Sequence, residues 1–427
     1  MKLNGSLRII SDKSITHRAI MLSSMAKGKT VLHYPLVAED TRATQKIFEY
    51  LGVLFEFSNK KLTILSEGME SFKVSDIALD AQNSGTTARL IMGALAGLPI
   101  NYLLTGDGSL SNRPMTRIKI PLEAMGLTMT LSENGTLPAN IKGNKSLKGI
   151  TYDLPVASAQ LKSAILFAGL HTTETTTIVE KNKSRNHTEL MFETFNVQLT
   201  CENQKITLKG QQVLISPKNI YIPGDISQAA YFMVASLLVP NSSIKLTEVG
   251  INPTRTGILD VLTAMGATIE QKNKKWFGKE PVADLIIRYT NDLQGVTVFP
   301  EAIPRLIDEI PILALLAATA RGTTIFFGVD ELKVKETDRL SKLIELITQI
   351  GGIAKTDGKN LEIIGQPGLI FMSNDETLDT ASDHRMVMML LIAELRSRKK
   401  FNLTNLESLN VSYPNFQKDL QSLITSL

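Results

Sequence analysis

Asp12-Lys13-Ser14-Ile15-Thr16-His17-Arg18 runs directly into the apolar stretch Ala19-Ile20-Met21-Leu22. An acid or hydroxyl side chain ahead of an apolar-periodic run is a helix start, and the first backbone N–H groups of that helix have no partner within it. Lys13, Ser14 and Arg18 gather around this positive end, which makes the turn a candidate anion site. Alone, the segment is better described as a capped, ordinary amphipathic helix. Its recurrence along the chain gives it weight.

After this helix come the turn and short strand Lys27-Gly28-Lys29-Thr30-Val31-Leu32, a second helix opened by Asp40-Thr41-Arg42 and running through Leu51, and the strand-like Leu62-Thr63-Ile64-Leu65. The same order returns at Asn83-Ser84-Gly85-Thr86-Thr87-Ala88-Arg89, with a strand near Tyr102 and a second helix from about Arg113 to Met125. Further copies begin at Ala157-Ser158-Ala159-Gln160-Leu161-Lys162, Gly224-Asp225-Ile226-Ser227-Gln228, Leu306-Ile307-Asp308-Glu309 and Asp379-Thr380-Ala381-Ser382-Asp383-His384-Arg385. These starts lie roughly seventy to eighty residues apart, the length of a βαβ-type unit rather than of a solenoid repeat. The second helices end in comparable phrases, Leu51-Gly52, Met125-Gly126, Met265-Gly266 and Ile350-Gly351, each followed by a strand. Glycine just past a helix end takes the left-handed conformation that stops it. Repeated use of one unit divides naturally into halves at the Pro223-Gly224 turn. A ligand is then expected in the cleft between two similar domains, faced by several helix N-termini.

The chain has 427 residues, 43% hydrophobic and 21% charged, which is ordinary globular composition and too long for one core. Its net charge of +4 is spread along the chain, so nucleic-acid binding is not implied, and the cluster Lys181 to Arg185 reads as a solvated loop. The lone Cys201 excludes an internal disulfide framework and a thiolate metal cage. Neither a signal segment nor a membrane-length apolar run is evident, so a cytoplasmic location is expected.

The helix starts also carry Arg89, Arg113, Arg185, Arg255, Lys335, Arg339 and Arg385. Cations at helix N-termini oppose the macrodipole, and a shared polyanionic ligand is one reason to keep them there. Two stretches supply an acid or base. Asp308 and Glu309 lie between Pro304 and Pro311, and Lys335-Glu336-Thr337-Asp338-Arg339 is expected to begin a helix, with Lys335 and Arg339 on one face and Glu336 directed elsewhere.

Asp12-Lys13-Ser14 with His17-Arg18, Asn83-Ser84-Gly85-Thr86, Arg113-Pro114-Met115, Lys335 to Arg339 and Asp383-His384-Arg385 together resemble the 3-phosphoshikimate 1-carboxyvinyltransferases, the EPSP synthases. The resemblance runs from about Gly5 to Tyr413 with the motifs in family order. It implies two similar inside-out α/β domains, each of three βαβαββ-type repeats: residues 12–224, and residues 1–11 with 225–427. It implies transfer of the enolpyruvyl group of phosphoenolpyruvate to the 5-hydroxyl of shikimate 3-phosphate, with no metal or other cofactor, no nucleic acid or membrane partner, and a monomer. Carried over, Lys13, Ser14, Arg18, Ser158, Gln160, Ser184, Asp308 and Lys335 would contact shikimate 3-phosphate. Lys13, Gly85, Arg113, Gln160, Arg339 and Arg385 would bind phosphoenolpyruvate, with Lys335 lying between both substrates. Asp308 would be the base for the 5-hydroxyl, and Glu336, with Lys13 as its partner, the proton donor to the methylene.

Several positions depart from the family pattern. Val411 precedes Ser412-Tyr413-Pro414 where some members have lysine. Ala159 stands where many have a second serine, His187 where some have tyrosine, and Leu90 where many have proline. The sister transferase acting on UDP-N-acetylglucosamine shares the architecture but normally carries a loop cysteine as acid, whereas Cys201 falls in a strand-like stretch and is expected in the core. A P-loop reading of Gly28-Lys29-Thr30 fails because Ser23 occupies the first glycine position, leaving a turn. A non-catalytic two-domain anion-binding protein remains as a contrasting class.

Overall fold

The computed structural model describes residues 1–72, 77–373 and 377–425. The chain divides into two compact units, Ser11–Ile222 with Phe277–Glu280, and Met1–Ile10 with Pro223–Trp276 and Pro281–Leu427. Each has its own hydrophobic core. Among the described residues, no helix is long and apolar enough to cross a membrane.

Five small sheets share one plan. In the sheet holding Ile77–Asp80, that strand pairs in parallel with Asn101–Thr105, and the helix Gly85–Ala94 makes the crossover between them. A hairpin of Thr128–Thr130 and Ala139–Lys142 then completes the sheet antiparallel. Short polar turns close such hairpins, whereas the parallel pair needs a helix between its strands. The plan breaks in an informative place. Lys2–Arg8 precedes the helix Lys13–Met25 but pairs with Ser243–Gly250 in the other unit's sheet, while Asn219–Tyr221 precedes Ile226–Leu238 but pairs with Lys27–His33. These two strands belong to opposite units from the helices they precede. The sixth repeat keeps its helix His384–Ala393, but its strands near Phe371 and Leu378 are reduced to isolated bridges among the described residues.

The first helix of each repeat is the interior one. Every residue of Ile226–Leu238, Ile310–Ala317 and His384–Ala393 is buried, as their nearly continuous apolar sequence demands. Second helices such as Glu39–Tyr50 and Arg339–Gln349 are amphipathic and lie outside. Gly52, Gly126, Gly266 and Gly351 end four of them with φ of 99°, 104°, 98° and 93°, and Asn196 (φ 64°) takes this place after His187–Thr194.

Some expectations change here. Phe277–Glu280, which lie in residues 225–427, belong instead with the N-terminal unit. The Phe277 ring packs 5.7 Å from that of Tyr221, and Glu280 Oε1 lies 2.6 Å from His187 Nδ1. Cys201 is exposed rather than in the core, because Leu199–Glu202 is an edge strand with little packed against it. Gly28-Lys29-Thr30 is part of the strand Lys27–His33, not a turn.

Candidate active site

In the N-terminal unit the expected anion site forms at the start of Lys13–Met25. Asp12 caps the helix, accepting the Ile15 N–H at 2.8 Å. Lys13 Nζ binds Asp40 Oδ2 at 2.8 Å. Arg18, only 3% exposed, donates from Nε to Thr188 Oγ1 (2.6 Å), from one terminal nitrogen to the Ser14 carbonyl (3.0 Å) and from the other to Ser163 Oγ (2.7 Å). All three partners are neutral, and burial pulls the guanidinium down to about 10. The charges of Glu189, Asp12 and Glu280 offset part of this burial cost. Neighbouring His17 is kept neutral by burial first, then by Lys13 and Arg18, and its Nδ1 lies 2.7 Å from Thr44 Oγ1.

Two guanidinium groups converge over Gly85, at the start of Gly85–Ala94. A Cβ at that position would stand 2.8 Å from a terminal nitrogen of Arg89 and 3.3 Å from one of Arg113. Arg89 donates to Gln160 Oε1 (2.9 Å), whose Nε2 donates to Thr86 Oγ1 (3.1 Å). Arg113 donates to Asn83 Oδ1 (3.0 Å) and Ser109 Oγ (3.1 Å). Ser158 caps Ala159–Gly169 through the Leu161 N–H at 3.3 Å. The hydroxyl of buried Ser184 donates to Glu180 Oε1 at 2.6 Å, so its proton is engaged within the protein.

In the C-terminal unit one carboxylate meets three cations. Asp308 Oδ1 is 3.4 Å from Arg339 and 3.5 Å from Lys335 Nζ, and Oδ2 is 3.8 Å from Arg385. Arg385 also donates to the Asp308 carbonyl at 3.0 Å. Arg339, 1% exposed, binds Asp383 through Nε at 2.7 Å and Glu336 Oε2 at 2.5 Å. Burial works against both arginines. Asp383 and Glu336 outweigh it at Arg339, and Asp308 leads the groups that outweigh it at Arg385, so both are held charged more firmly than usual. The pentad Lys335 to Arg339 differs from expectation. The helix begins only at Arg339, because Asp338 is its N-cap and accepts the Ser341 N–H at 3.1 Å; Lys335 is extended. Glu336 is therefore not directed away but turned onto Arg339.

The EPSP synthase (3-phosphoshikimate 1-carboxyvinyltransferase) profile matches residues 1–420. The chain belongs to this family. It is 44% identical over 424 residues to the 3-phosphoshikimate 1-carboxyvinyltransferase of Leuconostoc mesenteroides, covering 99% of this chain and 96% of that protein. The enzyme of the same name from Oceanobacillus iheyensis is 43% identical over 423 residues, covering 99% and 97%. Among solved structures, EPSP synthase from Acinetobacter baumannii superposes with a TM-score of 0.86 at 37% identity, covering 99% and 96%. The enolpyruvyl transferase NikO from Streptomyces tendae, at 17% identity and a TM-score of 0.78 over 99% and 95%, shares the fold.

Within the units, the residues carried over from the EPSP synthase pattern fall into local groups: Lys13, Ser14 and Arg18 on one helix, Gly85 beside Arg113, and Asp308 with Lys335, Arg339 and Arg385. Arg255 stands apart. It binds Asp225 (3.1 Å) and Ser227 (2.6 Å) and so ties down the start of Ile226–Leu238. Arg89, noted in the sequence only as a helix-start cation, is joined to Gln160 and Gly85 by the structure. Thr188 and Ser163, which orient Arg18, carry no sequence signal beyond being hydroxyl residues.

Proposed function

We infer that the protein transfers the enolpyruvyl group of phosphoenolpyruvate to the 5-hydroxyl of shikimate 3-phosphate, releasing inorganic phosphate. The methylene carbon takes a proton, the hydroxyl oxygen bonds to the neighbouring carbon, and the tetrahedral adduct expels phosphate as a proton leaves the new methyl group. The observation that carries this reading is Asp308 ringed by Lys335, Arg339 and Arg385. A carboxylate among cations stays ionised and so is available to take a hydroxyl proton, and the same cations suit an incoming carboxylate and phosphate.

Asp308 is assigned as base, and Glu336 with Lys13 as proton donor. Lys13, Ser14, Arg18, Ser158, Gln160, Ser184 and Lys335 are assigned to shikimate 3-phosphate. Lys13, Gly85, Arg113, Gln160, Arg339 and Arg385 are assigned to phosphoenolpyruvate. Keeping water from the bound substrates would spare phosphoenolpyruvate from hydrolysis. The enzyme is taken to act as a cytoplasmic monomer, which sedimentation and cell fractionation test.

The deciding experiment is phosphate release from phosphoenolpyruvate, measured with and without shikimate 3-phosphate. Release is expected only with both. Asp308→Ala and Glu336→Ala should each lower kcat by about a hundredfold or more, the range for a general acid or base. Near-normal turnover in a folded variant would remove that residue's role. Release with UDP-N-acetylglucosamine as the acceptor instead would favour the sister reaction.

A further inference from the structure

Glu180 and Glu189 stand at the two feet of a loop that leaves the strand Thr175–Val179 and enters the helix His187–Thr194. Both are buried, and both bind one ammonium group. Lys162 Nζ lies 3.0 Å from Glu180 Oε2 and 2.7 Å from Glu189 Oε1, and Lys162 is itself 1% exposed. The second oxygen of Glu180 accepts the N–H (3.2 Å) and O–H (2.6 Å) of Ser184, fastening the loop from inside. At the other foot, Thr188 immediately precedes Glu189, accepts Arg18 Nε at 2.6 Å and lies 2.6 Å from Ser163 Oγ, the residue after Lys162. Glu189 is also the foremost charge favouring the charged form of Arg18.

We propose that Lys162 is a positioning residue for the phosphate end of shikimate 3-phosphate, holding the Ser184 loop and, through the Glu189 foot, the hydroxyl that aims Arg18. The proposal rests on the assignment of Ser184 and Arg18 to that substrate. Two carboxylates this well buried repel one another unless a cation lies between them, and a dianionic phosphate arriving nearby needs that negative charge offset. Without the ammonium group, Glu180 turns away from Ser184 and the loop loses its inner tie. Lys162 does not touch the reacting atoms, so its effect falls on the binding of one substrate.

The test compares Lys162→Met, which keeps the chain length and removes the charge, with Glu189→Gln, which loosens one foot in nearly the same shape. KM for each substrate is measured with the other saturating, and shikimate 3-phosphate alone is titrated by the shift in melting temperature it causes. For Lys162→Met, KM for shikimate 3-phosphate should rise at least tenfold, with KM for phosphoenolpyruvate and kcat within threefold of wild type. Glu189→Gln should show the same one-sided change at about threefold to tenfold, and it decides the matter if Lys162→Met does not fold. Folded variants that bind shikimate 3-phosphate within twofold of wild type, or whose two KM values rise together, would overturn the positioning role. Inactive wild-type protein in the same assay would instead overturn the reaction itself.

Discussion

A methyl group at Gly85 would be the smallest change able to disturb the paired guanidinium groups. The added Cβ would come within 2.8 Å of Arg89, closer than real contacts allow, and 3.3 Å of Arg113. The obstructing atoms are the ends of flexible side chains, so they yield rather than the helix, and alanine is itself a better helix residue than glycine. Gly85→Ala is therefore expected to keep its melting temperature while KM for phosphoenolpyruvate rises by roughly tenfold, about 1.4 kcal/mol, and KM for shikimate 3-phosphate holds. Unchanged steady-state kinetics would show that the two arginines do not meet the substrate there. Residues such as Lys13, Arg18 and Arg113 are legible in sequence because cations beside helix starts oppose the local dipole and so call for a reason. Lys162 is not legible. A lysine inside a helix ordinarily marks a solvated face, and the partner that buries this one, Glu180, is 18 residues away.

At the scale of elements, two aspartates open neighbouring helices and do different work. Asp338 is exposed and only caps, accepting the N–H and O–H of Ser341. Asp383 is fully buried, caps through the Arg385 N–H at 2.9 Å, and also holds Arg339 at 2.7 Å. Asp338→Ala should cost about 1 kcal/mol, as the loss of an N-cap does. Asp383→Ala should cost about 3–5 kcal/mol, because it leaves a buried guanidinium without its main counter-charge. Denaturant unfolding of the two variants checks the contrast, and equal losses would contradict it. The caps themselves explain why so much of the fold was readable. Asp12, Ser84, Ser158, Asp225 and Asp383 all lie where a polar residue meets an apolar run, and each caps the helix expected there. The reading failed between Lys335 and Arg339, where four-residue charge spacing imitates a helix face. The capping preference of Asp338 delays the helix and lets the extended backbone bring Glu336 back onto Arg339.

For the molecule as a whole, buried His17 sets a direction for stability with pH. Its folded pKa lies well below 6.5, so above that pH both the folded and unfolded imidazole are neutral and stability is at its full value. As pH falls below about 6.5, the unfolded chain takes up a proton that the folded chain refuses, and stability drops by up to about 1.4 kcal/mol per pH unit. Melting temperatures between pH 7.5 and 5.5 should decline, and His17→Gln should flatten that decline; an equal slope in the variant would assign the loss to other groups.

The strand Lys2–Arg8 pairs with Ser243–Gly250 and, through Lys2 and Leu3, with Ile424–Thr425. Its parallel partners lie 239 residues further along the chain. Residues 11–222, with Phe277–Glu280, have a core of their own. A fragment cut after residue 222 would therefore carry residues 2–8 without the strand they pair with, whereas a fragment beginning at residue 11 would lose none of that unit's own strands.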